Sequence, residues 1–216
     1  LKPLASRRHI LEFHNDNAPN GYSVSKEAVK SMKKFYYDSV FVYNEENDFD
    51  TNSKSIMDAM SYAYKRYGVT NFVVDSLLTV DCSKEEGENR YDKEASFVKK
   101  LKVFTNKNPV KVCLVIHSRK LPQGAADIGA DDIQGSSTHV KACNRAFSVN
   151  RLYNDPEGYD VVLTCLKDRE TGLLNKKVKL HYDNKSFRLY SNEEERDKAY
   201  SWEKCSKIQY PDNIVD

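Results

Sequence analysis

Glycine is scarce, with eight residues in 216, and Gly21, Gly68 and Gly87 stand isolated. No GxxxxGK(S/T) segment occurs, so the chain has no loop whose nested N–H groups and lysine would cradle phosphates. No repeat, low-complexity tract or Pro/Gly-rich linker precedes residue 190, so the sequence gives no sign of separately folded pieces there. No apolar run reaches membrane-spanning length, and the first residues lack a signal-peptide pattern. The five cysteines (Cys82, Cys113, Cys143, Cys165, Cys205) include no CxxC pair, which argues against zinc. Cys113 and Cys165 sit in apolar, strand-like runs and read as buried thiols in a reducing compartment. Charge of one sign is missing as well. The 34 basic and 32 acidic residues leave a net +2, unlike a protein that coats DNA, though a local basic channel stays open.

What is present suits a soluble globular chain, 39% hydrophobic and 31% charged. The chain opens on Leu1 rather than Met, and residues 4–14 already read as the middle of a fold, as in a fragment of a longer protein. Ser25 is placed to cap a helix to about residue 38, with Val29, Met32, Phe35 and Tyr36 on one face. Residues 39–43 (SVFVY) read as a short strand. Ser53 reads as the next cap, and Ile56, Met60, Ala63, Tyr64 and Tyr67 stripe a helix that Gly68 ends. Residues 71–75 (NFVVD) and 111–116 (KVCLVI) are apolar runs expected of parallel strands buried on both faces. A helix spaced through Ala95, Val98 and Leu101 separates them. Strands alternating with helices imply right-handed crossovers. From residue 145 the strand candidates have short connections, as in antiparallel hairpins. The segment after residue 191 is polar and carries the one tryptophan, Trp202.

Two strand ends hold the chemistry. Phe72-Val73-Val74-Asp75-Ser76 aims one carboxylate at the C-terminal edge of a sheet, where ligands of open α/β folds sit. A carboxylate there can hold the water shell of a nucleotide-bound Mg²⁺, although many strands end in Asp simply to make a turn. Leu114-Val115-Ile116 runs into His117-Ser118-Arg119-Lys120. An imidazole at that tip can hydrogen-bond a γ-phosphate, or it can merely cap the strand.

The order of these segments, followed by Asp132-Ile133-Gln134-Gly135-Ser136, resembles the third and fourth motifs of DnaB-type ring helicases, in the branch of phage primase-helicases and mitochondrial Twinkle. Further segments fall in register. Asn150-Arg151 closes a strand, Lys167-Asp168-Arg169-Glu170-Thr171-Gly172 resembles the family's Lys/Arg segment, and His181-Tyr182-Asp183 resembles its last aromatic strand. Leu4, Ala5 and Arg7, opening a helix that ends at His14-Asn15, resemble the stretch after the family's catalytic Glu. The likeness spans residues 1 to about 190.

The resemblance implies a RecA-like P-loop NTPase core of class α/β: a mainly parallel sheet flanked by helices, with C-terminal antiparallel hairpin strands. Residues 1–190 would be the C-terminal part of the ATPase domain and 191–216 a polar extension. It implies a hexameric, ATP-dependent, 5′–3′ replicative DNA helicase. Its cofactors would be ATP or another NTP and Mg²⁺. Its partners would be single-stranded DNA and copies of itself, with primase, polymerase or loader as further candidates and no membrane. Asp75 would position the metal and His117 would sense the γ-phosphate. Lys167 and Arg169 would reach a neighbouring subunit's nucleotide, and Arg151 and Tyr182 would stack on the base. DNA would meet residues 81–90 and 119–134, with Arg119, Lys120, Gln134 and the backbone at Gly135 as contacts. Gln134 departs from the Arg or Lys frequent in the phage branch. The setting would be the cytoplasm of a bacterial host of a phage, or alternatively the mitochondrial matrix. Because the phosphate loop and catalytic Glu are absent, these 216 residues alone are expected neither to hydrolyse ATP nor to bind it tightly. Two rival readings remain: a RecA/RadA-type recombinase ATPase that forms filaments, and a non-catalytic RecA-fold assembly or loader protein.

Overall fold

The structure, a computed structural model, describes residues 2–4, 9–15, 18–43, 51–117 and 137–204. It is a mixed α/β chain with three sheets: a hairpin of β1 (Ile10–Asn15) and β2 (Ala18–Val24), a parallel pair β3 (Asn71–Val74) and β4 (Lys111–Leu114), and an antiparallel four-stranded sheet. The last runs in the order β5 (Arg145–Arg151), β6 (Val161–Asp168), β7 (Lys176–Asp183), β8 (Arg188–Tyr190). The chain divides into two compact units. One holds Leu1–Val42, Arg151–Leu163 and Val178–Asp216; the other holds Tyr43–Asn150 and Thr164–Lys177.

In the second unit, α2 (Ser53–Tyr67) and α3 (Arg90–Lys107) pack on the parallel pair. Helix α2 starts one residue earlier than its sequence suggests: Asn52 is the cap, its side chain accepting from the Lys54 N–H at 2.9 Å. Gly68 ends it at φ +69°, a conformation open to glycine. Asn89 caps α3 through the N–H groups of Tyr91 and Asp92. Phe97, with no exposed surface, centres a core of Met60, Leu77, Leu101, Phe104 and Val110, and its truncation to Ala costs ~3–5 kcal/mol.

The expectation of strands buried on both faces is corrected. Phe72, Val74, Val112 and Leu114 pack on the core, but Asn71, Val73, Lys111 and Cys113 alternate outward, and Val73 is 72% exposed. A single helical layer covers one side of a two-stranded sheet, so only every second side chain is buried. The mainly parallel sheet is accordingly represented, among the described residues, by this pair alone. Residues 39–43 are not a strand; their apolar side chains lie exposed.

In the first unit, α1 (Lys26–Tyr36) begins at the Ser25 cap and buries Ala28 and Met32, with Val29, Phe35 and Tyr36 packed beside them, as the spacing indicated. The helix expected to end at His14-Asn15 is instead β1: apart from a short 3-10 turn at Lys2–Leu4, the chain pairs Ile10 with Val24 and Glu12 with Tyr22. The polar segment after residue 191 forms α5 (Glu193–Asp197) and α6 (Ser201–Lys204), and Trp202 is buried with its indole N–H on the Leu4 carbonyl at 2.7 Å.

Candidate functional site

Strands β3 and β4 run parallel with Val74 beside Leu114, so Asp75 and His117 both follow the C-terminal end of the same two-stranded ladder. The ladder continues past the strands: Val115 N–H donates to Val74 O and Leu77 N–H to Val115 O, each at 2.9 Å. The chain leaves this tip through the cis Asp75–Ser76 peptide. Asp75 is exposed and makes no ion pair with any described residue, which suits a carboxylate meant to face a hydrated cation. Among the described residues no cluster of three or more His, Cys, Asp or Glu is built to hold a metal by protein ligands alone.

His117 is exposed and lines a small cleft of about 40 Å³ with Leu77, Leu78, Arg90, Tyr91, Glu94 and Ile116. Arg90 and the buried Glu94, paired at 2.6 Å one helical turn apart, are neighbours of His117 that the sequence did not single out. An i,i+4 Arg–Glu pair is common on helices, so only the tertiary placement gives this one meaning.

Residues 81–90, expected to face DNA, are fastened down. Asp81 exchanges backbone hydrogen bonds with Thr51 and Ser53, and Cys82 is buried. Glu85 is buried and accepts from Ser53 Oγ at 2.7 Å, Ser96 Oγ at 3.1 Å and Lys100 Nζ at 2.9 Å. Burial alone would raise its carboxyl, but these donors outweigh it and hold it below the usual carboxylate range. The solvent side of the loop keeps Lys84 and Arg90 against Asp81, Glu86 and Glu88, a balance that does not favour phosphate. Arg119, Lys120, Gln134 and Gly135 lie outside the described residues.

Lys167 and Arg169 come together on one helix end. Lys167 Nζ donates to the carbonyls of Val140 (2.6 Å) and Lys141 (2.9 Å), and Arg169 Nη2 to Lys141 O (2.7 Å), at the C-terminal turn of α4 (Ser137–Ala142). Orphan carbonyls at a helix C-terminus attract cations. Burial lowers the Lys167 ammonium from its ordinary value, with Arg169 and Lys102 adding to the effect. Between the two cations, Asp168 shapes the turn by accepting from the Glu170 and Thr171 N–H groups and from Arg145 Nε at 3.2 Å.

Arg151 closes β5 and Tyr182 lies in β7, with β6 between the two strands. Leu152 N–H donates to Asp160 O, and Asp160 N–H to Leu180 O. Arg151 and Tyr182 each have an aromatic neighbour. The Arg151 guanidinium lies 5.7 Å from the Tyr153 ring, and the Tyr182 ring lies parallel to Phe187.

No family model matches this sequence, and no curated protein does either. Among solved structures, the chain is similar to one described as a DnaB-like replicative helicase and its interactions with primase. The TM-score is 0.54 at 16% sequence identity. The match covers 66% of this chain and 36% of that one, so this chain spans about a third of the helicase it resembles. No described helix is long and apolar enough to cross a membrane. Over the matched part, this chain has the fold of a DnaB-like replicative helicase.

Proposed function

We propose that this chain is part of the motor of a hexameric, ATP-dependent replicative DNA helicase, which unwinds duplex by moving 5′–3′ along single-stranded DNA. The observation that carries the proposal is the shared tip of β3 and β4. A carboxylate and an imidazole leave the same end of two hydrogen-bonded parallel strands, the end where α/β sheets place their ligands. Similarity to a replicative helicase over 66% of the chain supports it.

In this proposal Asp75 would orient the water shell of Mg²⁺, and a ring N–H of His117 donates to a γ-phosphate oxygen. Mg²⁺ bound to ATP supplies charge neutralisation on the transferred phosphoryl group. His117 shares a small cleft with Arg90 and Glu94 at the start of α3, and these are the neighbours that would register loss of the γ-phosphate. Lys167 and Arg169 act on a neighbouring subunit's nucleotide, exchanging the α4 carbonyls for phosphate oxygens. Arg151 and Tyr182 stack on the base. Arg119, Lys120, Gln134 and Gly135 face single-stranded DNA, and primase, polymerase or a loader are the protein partners.

The test is Asp75→Asn in the full product of the gene. DNA-stimulated ATP hydrolysis is expected to fall by about a hundredfold or more while the ring still assembles. Hydrolysis near the wild-type rate rejects the motor, and nucleotide-dependent filaments in place of rings favour a recombinase.

A further inference from the structure

The turn between β7 and β8 displays an aromatic ring at some conformational cost. Phe187 has φ +59°, in the left-handed region where glycine and asparagine are at home and a bulky side chain is an outlier. Its neighbours both point inward: Ser186 is 1% exposed and Arg188 is 8% exposed, while Phe187 is 47% exposed. The turn is held in this shape by the buried Asp183. Its carboxylate accepts from Ser186 Oγ (2.5 Å), Ser186 N–H (3.2 Å) and Lys185 N–H (3.4 Å), and its carbonyl accepts from Phe187 N–H (2.7 Å). The position therefore suits glycine, yet it carries a large apolar ring. Strain of this kind, held by surrounding bonds, marks positions kept for what they display.

What Phe187 lies beside is equally specific. The Tyr182 ring, 40% exposed, is parallel to it within 8°, with centroids 6.2 Å apart. Leu189 pairs with Tyr182 across the ladder, so Phe187, two residues earlier, is its diagonal neighbour on the same face. The two rings lie parallel, and each keeps part of its apolar surface open to solvent. Planar π-systems stack on such a surface without needing hydrogen-bond readout. Lys185 adds a positive charge to the turn, with its ammonium 5.1 Å from the Tyr22 ring.

We propose that Tyr182 and Phe187 form one stacking platform for the base of a nucleoside triphosphate, with Phe187 its second ring. The proposal rests on the reading of Tyr182 as a base-stacking residue and extends it to Phe187.

The test is saturation-transfer NMR on the 216-residue protein titrated with ATP, with ribose 5-phosphate as the base-free comparison and oligo-dT as competitor. Wild type is expected to pass saturation to the adenine protons, whereas ribose 5-phosphate receives little. Phe187→Ala and Phe187→Gly are expected to weaken ATP binding roughly tenfold or more, and Phe187→Tyr to retain it. The glycine variant relieves the backbone strain and should melt no lower than wild type, so its loss of binding cannot be ascribed to unfolding. Absence of transfer to adenine in the wild type overturns both the platform and the assignment of Tyr182. Weaker binding in Tyr182→Ala with unchanged binding in Phe187→Gly overturns the inference about Phe187 alone. If Phe187→Gly weakens oligo-dT and not ATP, the ligand is single-stranded DNA and the proposal as stated fails.

Discussion

Replacing Glu85 should be the most costly single change outside the apolar core of the second unit. Its carboxylate is 6% exposed and joins three donors from two helices, so it ties residues 81–89 to both α2 and α3. Ser53 has no exposed surface, and a buried hydroxyl stripped of its acceptor costs ~1–3 kcal/mol. The partly buried Ser96 hydroxyl adds about 1 kcal/mol. Lys100 is more than half exposed, and its ion pair is worth less than ~1 kcal/mol after solvent screening. Glu85→Ala is therefore expected to destabilise by about 3–4 kcal/mol. Glu85→Gln, which still accepts from one serine, should cost about half of that. The assay is urea unfolding followed by circular dichroism, paired with tryptic cleavage after the exposed Lys84 as a reporter of local opening. The carboxyl sits below its unfolded value. Its contribution is therefore complete above about pH 4.3 and is lost as pH falls through the lower folded value. If Lys100→Ala costs as much as Glu85→Ala, or if Glu85→Ala lies within ~0.5 kcal/mol of wild type, the carboxylate is not the fastener described.

Gly87 has φ +146°, and a Cβ there would lie 2.6 Å from Asp92 Cβ and 2.8 Å from Lys93 N. Gly87→Ala should cost ~2–3 kcal/mol in the same unfolding assay and speed cleavage after Lys84. His139 is 2% exposed, and neither ring nitrogen finds a partner among the described residues. Burial holds its pKa below the ordinary value despite the pull of Glu94 on α3. Between the unfolded value near 6.5 and the lower folded one only the unfolded chain gains a proton, so stability declines on acidification by at most about 1.4 kcal/mol per pH unit. His139→Leu should flatten that part of a melting-versus-pH profile, and an unchanged slope would show that His139 is not its source. In the full gene product, Arg169→Ala should abolish ATP hydrolysis with assembly largely retained, as read by turnover and sedimentation; unchanged hydrolysis removes Arg169 from the trans role.

Local signals in the chain survive into the structure where one residue decides the geometry. Ser25 opens α1 and Gly68 closes α2 as their chemistry dictates, and the apolar stripe of α1 is the buried one. Errors arise where burial depends on distant layers. Val73 and Cys113 look like core residues because the strand run is continuous, yet whether the second face is covered is a property of what packs there. The side chains with the strongest site-like environments, Glu85, His139 and Phe187, were unreadable. A buried carboxylate, an imidazole with unmatched nitrogens and a strained ring share no motif, only a tertiary setting. The pairing of the two strands that precede Asp75 and His117 was legible because both are short apolar runs separated by one helix.

Arg188 gives the end of the chain an unexpected importance. Its buried guanidinium donates through Nη1 to the carbonyls of Glu195, Arg196 and Lys198, at 2.9–3.1 Å, and lies 4.7 Å from the Tyr200 ring. Those acceptors are backbone atoms, so no side-chain substitution in the segment removes them, and drift in its polar sequence is tolerated. Shortening is not. A stop before Glu195 would remove three carbonyl acceptors from a cation that the β-hairpin had withdrawn from water. Trimming this hydrophilic tail would then act as a lesion at the base of the very turn that displays Phe187.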